Sequence, residues 1–255
     1  MPLEDNLYGL RDLQRTLLDM MIEIDRVCRK HGIDYSLLGG TMLGAVREGG
    51  FIPWDDDLDI GFREEDQKRF LEIFPQESER YTVTTADTWV ARVVPRKPIN
   101  GETPFIDLFH YVPVSSIAWK QKGKVFALKT LQGMLKEGVS LKDYPPKYRV
   151  LLWGTRMLGR PFTKQTKLKW YRHIAESWAR GDGDIVHVPD GDYRVLHRTY
   201  TAQWTHDYCD MPFEGVMLRV NAHYHDMLTR QSGQYMQRPP EAQRVAAHAA
   251  QRSAQ

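Results

Sequence analysis

From Leu10 onward the apolar residues Leu13, Leu17, Met20, Met21, Ile24, Val27 and Cys28 recur at three- and four-residue steps. That spacing traces one face of a helix ending near Gly32. Ile33 to Leu38 reads as a short strand stopped by Gly39-Gly40, with Thr41 placed to cap a second helix through Met42, Leu43, Ala45 and Val46. After Gly49-Gly50 and Pro53, the run Asp57-Leu58-Asp59-Ile60-Gly61-Phe62 alternates polar and apolar positions with period two, as a half-buried strand does. A helix from Glu64 to Phe74 follows. Tyr81 to Thr85, Trp89 to Pro95 and Phe105 to Val112 are rich in β-branched and aromatic residues and predict three more strands of the same sheet.

Beyond these strands Val125 to Leu135, Tyr148 to Leu158 and Lys164 to Ala179 have helical patterning. Strand-like segments then recur at Tyr193 to Thr201 and Val216 to Val220, before a helix over Ala222 to Arg230. The polar end after Pro239-Pro240 is expected to fray or to form a last short helix. The pattern is that of an α/β or α+β core with an appended helical region. It divides the chain into a core over residues 1–114, a helical region over 115–180 and a segment over 181–255 that packs back on the core.

Composition adds to this picture chiefly through the distribution of charge. The chain has 255 residues and a formal net charge of +2, yet from Trp119 to Arg172 fourteen Lys and Arg face only Glu137 and Asp143. A basic face and an anionic partner follow. The cationic stretch either forms a solvated face or docks the protein on anionic lipid or a phosphate-bearing acceptor, with Trp119, Trp153 and Trp170 as interface anchors. No RRM, helix-turn-helix or finger pattern points to nucleic acid. The mean hydropathy is negative, and no apolar run approaches the roughly 20 residues that cross a bilayer. The first residues lack the pattern of a signal peptide, so a cytoplasmic location is expected, with contact at the inner membrane face. Cys28 and Cys209 have no metal-binding spacing and are expected to be buried thiols.

The chemistry concentrates between residues 39 and 107. In Asp57-Leu58-Asp59 the carboxylates stand two positions apart on a strand, so both face one way with Cα atoms roughly 6.5 Å apart. Two such anions repel by about 2.5 kcal/mol at an effective dielectric of about 20, a cost that a bound cation reverses. Magnesium, which prefers oxygen ligands from one or two carboxylates, water and phosphate, is the natural partner. Asp55 and Asp56 precede the strand and carry less weight. Asp107, flanked by Ile106 and Leu108 on a neighbouring strand, is the candidate third carboxylate. The Gly39-Gly40-Thr41 turn supplies backbone N–H groups and a helix N-terminus as a cradle for phosphate oxygens. Alone, an Asp-x-Asp pair also occurs in solvated loops and in metal-dependent glycosyltransferases, and a Gly-Gly pair is often only a turn. The ordered combination points to phosphoryl chemistry on a nucleotide.

Tyr35-Ser36-Leu37-Leu38-Gly39-Gly40-Thr41-Met42-Leu43-Gly44-Ala45-Val46-Arg47 followed by Gly50-Phe51-Ile52-Pro53-Trp54-Asp55-Asp56-Asp57-Leu58-Asp59-Ile60 closely resembles the signature of the LicD family, whose relatives include fukutin. The resemblance extends to Ile106-Asp107-Leu108-Phe109 and more loosely to Phe213-Glu214-Gly215, Tyr235-Met236 and Pro239-Pro240. It implies an α+β fold, a nucleotidyltransferase-like core of a mixed β-sheet with flanking helices, carrying the basic helical region as an addition. The implied reaction is transfer of a phospho-alcohol from a CDP-linked donor to a glycan or lipid-linked glycan hydroxyl. Phosphocholine is the leading cargo, with ribitol phosphate or phosphoethanolamine as alternatives, and CMP leaves.

By the same resemblance Asp57 and Asp59 ligate Mg2+, with Mn2+ as a substitute, and Asp107 completes the metal site or accepts the acceptor's proton. Gly40 and Thr41 hold phosphate, with Gly39 in the same turn, Arg47 pairs with the pyrophosphate and Trp54 lines the donor pocket. Two departures stand out. Phe109 is followed by His110-Tyr111-Val112 where relatives carry Phe-Pro-Leu-Asp, and Val220-Asn221 replaces a Val-Pro pair. His110 is a candidate base or a structural histidine. Trp54, Trp89, Phe105 and Tyr111 would form a cation–π cage or pack as core. A nucleotidylyltransferase with the same metal site, and a catalytically silent binding protein, are the competing readings.

Overall fold

The computed structural model describes residues 8–136, 141 and 146–246. Lys142, Glu137 and Asp143 of the cationic stretch, and most of the polar tail, lie outside them. The chain divides into two compact units, one comprising residues 1–84, 91–110 and 203–255, the other residues 85–90 and 111–202.

The first unit is α+β. Helix α1 (Arg11–His31) buries Leu17, Met20, Met21, Ile24, Val27 and Cys28 and stops at Gly32, whose left-handed φ of 58° only glycine adopts cheaply. Its wall is met by a seven-stranded mixed sheet. In chain order the strands are β1 (Tyr35–Leu37), β2 (Asp59–Arg63), β3 (Tyr81–Thr84), β4 (Ala91–Pro95), β5 (Ile106–Pro113), β8 (Tyr208–Phe213) and β9 (Val216–Asn221). Across the sheet they run β3-β4-β5-β2-β1-β9-β8. β1 is antiparallel to β2, with Tyr35 opposite Phe62 and Leu37 opposite Ile60, and parallel to β9 at Leu37 and Val220. Helix α2 (Gly39–Glu48) follows β1, and α3 (Glu64–Glu77) follows β2 with Glu64, Glu65 and Asp66 in its first turn, the end that favours negative charge. Phe62, Phe70 and Phe74 stack at centroid spacings of 5.1 and 4.8 Å beneath the sheet. Helix α7 (Tyr224–Ser232) closes the unit.

The β8–β9 hairpin turns through Glu214 and Gly215, both with positive φ (49° and 86°). Positive φ at both central residues is the mark of a two-residue turn matched to strand twist. This strand pair corrects two expectations. β8 escapes the sequence pattern because it carries Asp210 and Pro212, tolerable there because β8 ends the sheet. Cys209, on that edge strand, is only half-buried, whereas Cys28 is fully enclosed. Burial pushes the Cys28 thiol far above its ordinary range, so it is inert.

The second unit holds α4 (Ala118–Leu135), α5 (Pro146–Gly159) and α6 (Lys164–Ser177), with a small sheet in which the end of β5 pairs with β6 (Ile185–His187) and β6 with β7 (Thr199–Thr201). Its core gathers Leu128, Leu131, Met134, Tyr171, Ala175 and Leu196. Gln132 donates to Tyr171 Oη (2.9 Å) and Gly191 O (2.7 Å), while Tyr171 donates to Pro189 O (2.6 Å). The strand expected from Tyr193 is confined to β7. Val195 N bonds Asp192 O and Arg198 N bonds Val195 O, turn bonds that replace a ladder. Lys124 and Lys167 are fully buried, so the cationic stretch is not a solvated face throughout.

Candidate active site

Leu58 and Ile60 are fully buried, and the partly buried Asp57 and Asp59 alternate with them. The alternation places both carboxylates on one side although β2 itself begins at Asp59. The segment is tied from two directions. Leu58 O accepts Asp107 N (3.1 Å), and Asp59 O accepts Leu38 N (2.9 Å). These bonds bring Asp107 and the start of α2 to the aspartate pair.

Thr41 has a different task from the expected cap. Helix α2 begins two residues earlier, with Leu38 as its N-cap and no side chain capping it. Thr41, buried in the first turn, accepts the Asp59 N–H at 2.9 Å through Oγ1. It is a positioning residue for Asp59. Gly39 and Gly40 are the surface on which acidic side chains rest: a β-carbon on Gly39 would lie 3.4 Å from Asp59 Oδ2, and one on Gly40 2.9 Å from Asp55 Oδ2. The positive end of α2 thus faces carboxylates.

Burial, and then the charges of Asp57, Asp107 and Asp55, push the Asp59 carboxyl well above the ordinary carboxylate range, with Arg92 offsetting part of the effect. Asp55 therefore belongs to the cluster, even though it precedes the strand. Arg92 is the cation that sequence patterning does not single out. Its register opposite Asp107 sets Nε 2.6 Å from Asp107 Oδ1, with the guanidinium 3.8 Å over the Phe105 ring. Among the described residues no three Asp, Glu, His or Cys side chains close into a ready-made metal cage. Magnesium needs only one or two carboxylates, completing its shell with water and phosphate oxygens, so the crowded Asp57 and Asp59 oxygens fit such an ion shared with a substrate.

The loop carrying the cluster is braced from below. Gln14, fully buried on α1, donates to Ile52 O (3.3 Å) and Asp55 O (2.9 Å) and accepts from Arg11 (2.8 Å). Glu214 accepts the Phe51 N–H (3.0 Å) and lies 3.7 Å from Arg11. Gln14 was legible: it stands four residues after Leu10 and three before Leu17, on the apolar face, where a polar residue needs buried partners.

The remaining sites of the signature find protein partners. Arg47, its side chain 6% exposed, pairs with Glu48 (2.8 Å) and donates to Tyr235 O (3.1 Å). It sits about 10 Å along α2 from Gly40 by helical rise. Its guanidinium is thus taken up between α2 and the chain after α7. Trp54 packs edge-on to Tyr8 at 5.9 Å with Arg244 over its ring at 5.4 Å. Trp89 packs on Tyr171 and bonds Asp190 O (3.0 Å), and Tyr111 packs on Tyr200. Each of these aromatic residues has its own packing partner. His110 is buried on β5.

Residues 32–132 match the family described as LicD/FKTN/FKRP, nucleotidyltransferase domain. The chain is 28% identical over 251 residues, 91% of its length, to a lipopolysaccharide cholinephosphotransferase LicD of Haemophilus influenzae, of which 93% is covered. It is 46% identical over 61 residues to an uncharacterised protein of Rickettsia typhi, covering 24% of this chain and 20% of that one. A 35-residue stretch is 54% identical to the human ribitol 5-phosphate transferase FKRP, covering 14% of this chain and 7% of that protein. The region shared with the family spans the Gly39-Gly40-Thr41 turn and all three predicted aspartates, so this part of the chain is similar to the LicD/FKTN/FKRP nucleotidyltransferase domain.

Proposed function

We propose that the protein is a phosphotransferase that moves a phospho-alcohol, phosphocholine foremost, from a CDP-linked donor to a glycan hydroxyl. The observation that carries this reading is the convergence of the Asp57, Asp107 and Asp55 charges on Asp59 at the glycine-lined start of α2. The similarity to a cholinephosphotransferase over nearly the whole chain supports the cargo. In the reaction the acceptor oxygen bonds to the phosphorus that carries the alcohol. The bridging bond to CMP breaks, and the hydroxyl proton leaves.

A magnesium ion on Asp57 and Asp59, with manganese as a substitute, would draw charge from the phosphate oxygens during this in-line displacement. The chain's own residues supply alignment. Thr41 fixes Asp59 through its backbone N–H, and Arg92 orients Asp107. Asp107 either adds an oxygen ligand or takes the hydroxyl proton. The absence of β-carbons on Gly39 and Gly40 leaves room for the Asp59 and Asp55 carboxylates against the start of α2.

Incubation with CDP-choline, CDP-ethanolamine, CDP-ribitol and CDP-glycerol, each with a glycan acceptor, should release CMP and add the phospho-alcohol mass to the acceptor for one of the four. Release of pyrophosphate from a nucleoside triphosphate instead would replace this reading with nucleotidyl transfer.

The raised Asp59 carboxyl gives a test independent of turnover. Between the ordinary carboxylate range and its raised value, the folded state keeps a proton that the unfolded chain has released. Without a cation, stability therefore falls as pH rises through that window, and the full penalty applies above it. Millimolar Mg2+ should raise the melting temperature more at pH 8 than at pH 5, and Asp59→Asn should remove the difference. Equal shifts at both pH values, unchanged in the variant, would count against a cation at this site.

A further inference from the structure

Twelve of the sixteen large hydrophobic side chains exposed among the described residues fall between Ile117 and Trp178. Trp119, Phe126, Val150, Leu151, Trp153 and Leu158 are each more than half exposed, and all stand on α4 or α5. Apolar exposure concentrated in this way marks a binding surface. Helix α5 is apolar on both sides. Leu152 and Gly159, seven residues apart, form its buried side, while Val150, Trp153 and Met157, at steps of three and four, run along the opposite side with Leu151 and Leu158 beside them. A helix apolar all round is ordinarily enclosed by protein or by lipid. On α4 the exposed stripe is Trp119, Lys122, Phe126 and Lys129, at the same steps. Phe126, Lys129 and Leu151 line one cleft, so the two faces adjoin.

The charge on these helices has one sign. Neither α4 nor α5 contains an Asp or Glu. Several of their cations are occupied within the protein: Lys124 is buried, the Lys120 ammonium lies 5.8 Å from the Trp119 ring, Arg156 donates to Lys136 O (2.8 Å), and Arg149 also has a partner. Lys122 and Lys129 on the α4 stripe, and Arg160 just past α5, differ from these. They are exposed, and among the described residues no ion pair or hydrogen bond takes up their side-chain charges. Trp170 packs edge-on to Phe162 at 4.6 Å, which leaves Trp119 and Trp153 as the anchors of the face. A second copy of the chain would bring like charges together here, and an uncharged apolar partner would leave the three cations unanswered.

We propose that the α4–α5 face docks on the surface of an anionic lipid bilayer. Val150, Trp153, Met157 and Leu158 enter the boundary between headgroups and acyl chains, where the amphipathic ring of tryptophan is favoured. Lys122, Lys129 and Arg160 meet the lipid phosphates. Helix α5 has 14 residues and so measures about 21 Å, short of the roughly 30 Å hydrocarbon core. It lies along the surface. The docking is independent of phosphotransfer, and its test does not involve turnover.

Co-sedimentation of the full chain with vesicles of equal parts phosphatidylcholine and phosphatidylglycerol, and with vesicles of phosphatidylcholine alone, separates the alternatives. Binding to the anionic vesicles should be at least about tenfold tighter, since each cation near such a surface contributes roughly fivefold. Lys122→Gln with Lys129→Gln should weaken that binding at least about tenfold, and Val150→Ser with Trp153→Ser should do so by a similar factor. Val150 and Trp153 are 74% and 56% exposed, so the second pair leaves the core intact. Lipids with brominated acyl chains should quench tryptophan emission less in Trp153→Phe than in the wild type. Equal binding to both vesicles, binding to neither, or unaltered affinity in either double variant would overturn the proposal. Self-association in vesicle-free buffer that Val150→Ser with Trp153→Ser abolishes would also overturn it, by giving the face to a second copy.

Discussion

Asp59→Asn, and separately Asp57→Asn, should lower CMP release by about 10³-fold, on the order of 4 kcal/mol of transition-state stabilisation. Neither change removes packing volume, so the circular dichroism of the fold should be retained. In cation-free buffer at pH 8, Asp59→Asn should raise the melting temperature, because it removes a charge crowded by Asp57, Asp107 and Asp55. The pairing of lost turnover with gained stability separates a catalytic carboxylate from a structural one. Undiminished turnover in both variants would sink the assignment.

The second large effect is on stability. A β-carbon on Gly44 would lie 2.4 Å from Gly50 O and 3.2 Å from Ile52 N, both backbone atoms of the loop that leads to Asp55. Replacing a helix-interior glycine with alanine ordinarily gains about 1 kcal/mol. At Gly44 the clash reverses the sign, and Gly44→Ala should cost about 3 kcal/mol net. Gly154 on α5, with nothing within 4 Å of its β-carbon position, is the control and should show the ordinary gain. Urea unfolding of the two variants measures the contrast; similar midpoints would show that the loop yields freely.

Gly44 also explains why the glycine-rich signature is longer than a phosphate cradle requires. Gly39 and Gly40 admit carboxylates, and Gly44 admits the returning loop. The aspartate pair was readable because Leu58 and Ile60 impose a period of two that burial obeys. Arg92 was not, because its meaning lies in a cross-strand register with Asp107 that local patterning does not encode. Thr41 looked like a cap by position, yet the extended Leu38 takes that place and the hydroxyl turns to Asp59. Tyr193 to Arg198 has strand-like composition, but the Gly191-Asp192 turn that precedes it commits the backbone to local bonds. The helical patterning of α4 was read from Val125, whereas the helix starts at Ala118. Trp119 and the lysines between hide that first turn from an apolar-face count.

The parallel pairing of Leu37 with Val220 and the grip of Glu214 on Phe51 have a consequence for the newborn chain. Synthesis proceeds at roughly 5 to 20 residues per second, so the aspartate loop emerges on the order of ten seconds before its last brace exists. Until β9 arrives, β1 lacks one neighbour and the loop lacks Glu214. The aspartate loop is therefore fully braced only once residues 214–220 have been made.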